Sequence, residues 1–143
     1  MDLALAEAEA AGARGEVPVG AVVLGPDGAV LARAGNRTLE LRDPSAHAEL
    51  LAIRAACAAL GTERLVDCDL YVSLEPCAMC AGSISFARIR RLYFGASDPK
   101  GGGVEHGARV FDQPTCHHAP EVYGGIGERA AAALLKDFFA ARR

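Results

Sequence analysis

The residues in this chain best suited to bond-making are His47-Ala48-Glu49 and Pro76-Cys77-Ala78-Met79-Cys80. One imidazole and two thiols are sound zinc ligands, and Cys-x-x-Cys is a common metal-binding spacing. Set at i and i+3 on a helix, Cys77 and Cys80 point the same way. At that helix's N-terminus, free backbone N–H groups favour their thiolates. Three protein ligands leave the fourth tetrahedral position to water, which is the arrangement of a catalytic zinc. Glu49 follows His47 by two residues and so falls on another helix face. It need not ligate and is placed to handle protons. Acidified water beside a carboxylate is hydrolytic chemistry. Taken alone, Cys-x-x-Cys also suits a redox pair or half of a four-ligand structural site. Cys116, His117, His118 or His106 would then supply the fourth ligand, and Cys116-His117-His118 is also a candidate for a second metal.

These residues need a scaffold, and the chain has enough material for one. It has 143 residues, is 51% hydrophobic and carries a formal charge of −3. That length suits a single domain, residues 1–143, with a core that needs no staples. Five cysteines with no secretory leader argue against a disulfide framework. Cys57 and Cys68 read as small core residues. No apolar run approaches the roughly 20 residues of a membrane helix, so the expected setting is cytoplasmic and away from membranes. The acidic balance excludes indiscriminate nucleic-acid binding but leaves room for a local basic patch.

Apolar patterning gives the order of elements. An Ala- and Leu-rich helix ends near Gly12. Pro18 to Leu24 and Ala29 to Ala34 flank the turn Gly25-Pro26-Asp27-Gly28 as a β-hairpin. A polar loop runs from Asn36 to Ser45. Asp43-Pro44 then reads as a helix cap, opening a helix over Ala46 to Leu60 that Gly61 stops. Asp69 to Leu74 is a strand, Cys77 to about Phe86 a helix, and Arg91 to Phe94 a strand ended by Gly95. After a Gly- and Pro-rich stretch with one short strand at Val122-Tyr123, a last amphipathic helix covers Glu128 to Ala141. Strands and helices in this order make a mixed sheet with helices on its faces.

The two chemical motifs together resemble the signature of zinc nucleobase deaminases. The chain resembles the cytidine-deaminase-like superfamily. More narrowly it is similar to the bacterial tRNA-specific adenosine deaminases along almost its whole length. The likeness is carried by Glu16 to Val23, Gly35-Asn36-Arg37, Asp43 to Glu49, Leu70 to Gly82, Ser85 to Ala96 and Lys136-Asp137-Phe138-Phe139. The Cys-containing block is shared across the superfamily, whereas the Arg-rich continuation and the Phe-Phe tail are narrower.

The resemblance implies a three-layer α/β/α fold with a central mixed sheet of about five strands. It implies Zn2+ on His47, Cys77 and Cys80, with Glu49 as proton shuttle. Asn36, Ala48, Glu75 and Pro76 would lie against the substrate base, although Asn36 by itself reads as a turn residue. The implied reaction is hydrolytic deamination of adenosine to inosine at the wobble position of a tRNA anticodon, by zinc-activated water. The partners would be the anticodon stem-loop of an arginine tRNA and a second copy of the chain in a homodimer. Arg88, Arg90, Arg91 and Lys100, with Phe138 and Phe139, are the candidate RNA contacts; docking of the last helix onto the core is the competing role for the two Phe. The alternative is a deaminase of free bases or nucleosides (cytosine, cytidine or guanine), which needs no basic surface. Between Gly101 and Gly127 the chain departs from the better-known pattern, at Gly101-Gly102-Gly103-Val104-Glu105-His106 and at Gln113-Pro114-Thr115-Cys116-His117-His118.

Overall fold

The computed structural model describes residues Met1–Arg142. Its elements are α1 (Asp2–Ala13), β1 (Gly20–Leu24), β2 (Val30–Gly35), α2 (Thr38–Leu41), α3 (Ala48–Leu60), β3 (Asp69–Leu74), α4 (Ala78–Ala87), β4 (Arg91–Ala96), β5 (Glu121–Tyr123) and α5 (Glu128–Ala140). The strands form one mixed five-stranded sheet in the order β2-β1-β3-β4-β5. β1 is antiparallel to β2 and β3, while β3, β4 and β5 run parallel. This is the three-layer α/β/α fold that the sequence leads one to expect.

Strand alternation sorts side chains to the two faces. Ala21 and Val23 of β1, Leu70 and Val72 of β3, and Leu92 and Phe94 of β4 pack with Ala52, Ile53 and Ala56 of α3 and Ile84 of α4. α1 and α5 cover the opposite face. There Gly20 is needed for close approach, because a Cβ would overlap the Ala4 carbonyl and lie 2.5 Å from Ala8 N. Gly95 does the same under α5. It does not end β4, which runs on to Ala96. A Cβ at Gly95 would stand 2.6 Å from Ser73 O and 2.9 Å from the Ala131 Cβ.

The hairpin, the strand at Asp69 and the helix stop at Gly61 are where the sequence puts them, with Gly61 in the left-handed conformation. Two expectations need correction between Asn36 and Ala48. The polar loop contains a short helix, α2, because the buried Glu16 carboxylate accepts from Leu39 N at 3.1 Å and Glu40 N at 2.9 Å. That cap comes from far back in the chain, so local reading misses it. Asp43 does not cap α3. Its Oδ1 accepts from Ser45 N at 2.9 Å and Ser45 Oγ at 2.7 Å, closing an Asx turn. α3 starts later, with His47 as its flanking residue. Cys68 is buried and Cys57 is half-buried against the core.

Candidate active site

Two helices start at the same place and carry the chemistry there. His47 precedes α3 and Cys77 precedes α4, both in extended backbone (φ −75°, ψ 150° and φ −71°, ψ 173°). Cys80 lies one turn into α4. His47 Nδ1 stands 3.6 Å from Cys77 Sγ and 3.5 Å from Cys80 Sγ. All three ligand atoms lie within 4.8 Å of one another. Zn–S of about 2.3 Å and Zn–N of about 2.0–2.1 Å at a tetrahedral angle put nitrogen and sulfur about 3.5 Å apart. The observed spacing is therefore that of a zinc coordination shell.

The donors are also electrically suited to a cation. The Cys80 hydrogen bond, with help from His47 and against burial, lowers the Cys77 thiol to about 4. The neighbouring Cys77 sulfur and burial push the Cys80 thiol upward. The Cys77 hydrogen bond raises the His47 pKa. A divalent cation held here would displace protons from these thiols. Among the described residues this is the only such group of His, Cys and acidic side chains. It binds Zn2+.

The site opens into a cavity of about 350 Å³ bordered by Asn36, His47, Ala48, Glu49, Glu75 and Cys77. It lies beyond the carboxyl ends of β3 and β4, where ligands bind in open α/β sheets. Glu49 is only 4% exposed. Burial, with the Cys77 sulfur adding to it, pushes its carboxyl up to about 7, in the range where a carboxylate can act as both base and acid. Asn36 is buried, and its Oδ1 is the one buried side-chain polar atom among the described residues without a hydrogen-bond partner. Glu75 N donates to Ala96 O at 2.8 Å, and Pro76 O accepts from Gly103 N at 2.8 Å.

Thr38, Asp98 and Gly101 also line the cavity, and sequence reading did not single them out. The Gly101-Gly102-Gly103 run is the signal for the last two, since consecutive glycines mark close backbone approach.

The other candidates lie elsewhere. Cys116 Sγ lies 3.4 Å from Ser85 Oγ and donates to His118 O at 3.2 Å. His118 Nε2 donates to Ile89 O at 2.7 Å, and the His117 ring lies against Phe86. His106 Nδ1 bonds Glu75 Oε1 at 2.8 Å. None of them joins the three ligands. Lys100 is exposed on the loop beside Asp98 and Gly101. Phe138 borders a groove with Gly12, Pro18 and Leu134, and Phe139 is exposed and edge-on to it. Arg88 follows α4. Arg90 makes a bidentate pair with Asp69 at 3.1 Å, and Arg91 stands 3.4 Å from Glu121. These three arginines sit at the amino-terminal ends of the parallel strands, away from the cavity.

The sequence profile of the cytidine and deoxycytidylate deaminase zinc-binding region matches residues 1–96. The chain belongs to that deaminase family. It is 64% identical over 143 residues to the tRNA-specific adenosine deaminase of Agrobacterium fabrum, covering 100% of this chain and 93% of the relative. Among solved structures it is similar to one from work on A-to-I editing by tRNA:A34 deaminases at the wobble position of transfer RNA. That match has a TM-score of 0.92 and 65% identity, and covers 94% of this chain and 97% of the other. The guanine deaminase of Nitrosomonas europaea is a more distant deaminase of the same fold, with a TM-score of 0.83 and 27% identity over 97% of this chain and 82% of that one.

Proposed function

We propose that this deaminase hydrolyses the wobble adenosine of a tRNA anticodon to inosine, with Glu49 moving the protons and His47, Cys77 and Cys80 holding the zinc. The reaction joins the oxygen of water to the amine-bearing carbon and releases that amine as ammonia. When bound, zinc supplies the Lewis-acid charge that makes water nucleophilic near neutral pH. Glu49 takes one proton from water and delivers it to the ring nitrogen, then takes the remaining proton of the added hydroxyl and delivers it to the departing amine. A buried carboxyl with a pKa of about 7 suits both halves of that task.

The observation that carries the substrate reading is Asn36. Its Oδ1 has no partner, and the residue lines the same cavity as Glu49 and the ligands. An N–H donor on the edge of a purine base would satisfy that oxygen. Ala48 N–H at the start of α3 and the Glu75 carbonyl are the backbone groups assigned to the base. The anticodon base enters by leaving its stack, since the cavity cannot accept a stacked one. Lys100, Phe138 and Phe139 are the proposed contacts for the flanking RNA. The whole chain, residues 1–143, serves as one domain, because one sheet positions every part of the site.

A homodimer is part of this proposal. Met79, Gly82 and Phe86 lie on one face of α4, with Met79 42% and Phe86 66% exposed and open space over Gly82. A second copy would cover that stripe. Among the described residues no helix is long and apolar enough to cross a membrane, and a tRNA substrate is in keeping with a cytoplasmic enzyme. The deciding experiment incubates the protein with an arginine-tRNA anticodon stem-loop carrying a wobble adenosine and sequences the product for inosine. Free guanine, cytosine, cytidine and adenosine are assayed in parallel for ammonia. Inosine in the stem-loop with little ammonia from the small molecules is the expected result. Faster turnover of a free base would move the assignment to small-molecule deamination.

A further inference from the structure

We infer that the Glu75 carboxylate is a positioning residue that shapes the substrate-holding wall of the cavity, through the loop from Asp98 to His106. The inference rests on the wobble-adenosine reading of that cavity. The Glu75 side chain is fully buried, and among the described residues no Lys or Arg pairs with it. It is wrapped instead by donors from the loop. Oε1 accepts from Asp98 N at 3.0 Å and takes the His106 Nδ1 contact at 2.8 Å. Oε2 accepts from Val104 N at 3.2 Å, Glu105 N at 3.0 Å and His106 N at 3.1 Å. Burial opposes the charge, but these hydrogen bonds outweigh it and hold the carboxyl below its ordinary pKa.

The loop is shaped to fit the carboxylate. A Cβ at Gly102 would overlap Glu75 Oε2 and lie 2.6 Å from Asp98 O, and a Cβ at Gly103 would lie 2.5 Å from Ala78 N. This accounts for the glycine run. Gly103 also ties back through its N–H to Pro76 O, and Gly101 through its N–H to Asp98 Oδ1 at 2.9 Å. The loop residues that reach the cavity, Asp98 and Gly101, sit at its start. The Glu75 carboxylate therefore sets a part of the cavity wall through Asp98 and the loop that carries Gly101.

Glu75→Gln tests this with little change of shape. Gln keeps one acceptor oxygen. Facing that oxygen to the three N–H groups of Val104, Glu105 and His106 leaves its NH2 against the Asp98 N–H, donor to donor. Asp98 is then released from its place. KM for the anticodon stem-loop should rise about tenfold or more, while kcat at saturation falls by less than about threefold. Zinc content should stay at the wild-type level. Gly102→Ala presses on the same wall from the other side with the carboxylate intact, and should give the same KM pattern. If Glu75→Gln does not fold, Gly102→Ala carries the test alone. Combined, the two should raise KM by clearly less than the product of their separate effects, because they disturb one structure. The inference is overturned if wild type edits the stem-loop while both variants keep KM within about twofold. Loss carried by kcat alone, or loss of zinc from either variant, would also overturn it. A wild-type protein inactive on the stem-loop would instead remove the functional reading beneath it.

Discussion

In the proposed reaction, proton transfer and metal binding in the cavity fall to different side chains that are neighbours in sequence. His47 and Glu49 stand two residues apart at the start of α3, so one reaches the two sulfurs and the other the cavity. Glu49→Gln keeps the shape and removes the proton carrier. Turnover of the stem-loop should fall about 10²–10⁴-fold, the usual contribution of positioned proton transfer, with zinc retained by elemental analysis. Loss of zinc with activity would make Glu49 a ligand. Cys80→Ser replaces a buried sulfur with a weaker ligand oxygen, and the same analysis should show most of the zinc gone. Asn36→Ala should behave differently from both. It removes an interaction with bound base, so KM should rise while zinc remains.

At the scale of elements, close packing rather than hydrogen bonding sets how the outer helices lie on the sheet. Gly20→Ala puts a methyl group into the Ala4 backbone of α1. Urea unfolding should show a loss of about 1–3 kcal/mol, the ordinary cost of overpacking. Most elements were legible in the sequence because their signals are local. The apolar run of β1, the glycine stop of α3 and the two Cys at helical spacing each act within a few residues. α2 was not legible, since its cap is the carboxylate of Glu16. The cavity wall was not legible for the same reason, since the carboxylate of Glu75 organises a loop some way ahead of it. A buried Glu that serves as an anion for distant N–H groups leaves no periodic pattern. The glycines that let the backbone come near it are the only trace. Gly95 shows the reverse error. Read locally, it ends a strand. Packed against Ala131, it continues one.

For the whole molecule, the question is where an acidic protein meets a polyanion. With a net charge of −3, attraction to RNA has to come from a few local cations. The sequence alone puts the weight on Arg88, Arg90 and Arg91. The fold gives two of them acidic partners, Asp69 and Glu121, and places all three at the start of β4. The cavity opens at the other end of the parallel strands, about 15–20 Å away at the rise of a five- or six-residue strand. Lys100 is exposed beside the cavity. Phosphate contacts by single-stranded RNA release counterions, with log K falling by about 0.7 per contact for each tenfold rise in salt. Lys100→Ala should therefore weaken stem-loop binding and flatten that slope by about 0.7. Arg90→Ala should leave the slope near wild type and act on stability instead, because it strands Asp69, which is largely buried. Titrations at several salt concentrations, done alongside urea unfolding, separate the two. If Arg90→Ala or Arg91→Ala flattens the slope as much as Lys100→Ala, the far end of one copy lies on the RNA. In a dimer built on the Met79–Phe86 face, that would make each protomer part of its partner's binding surface.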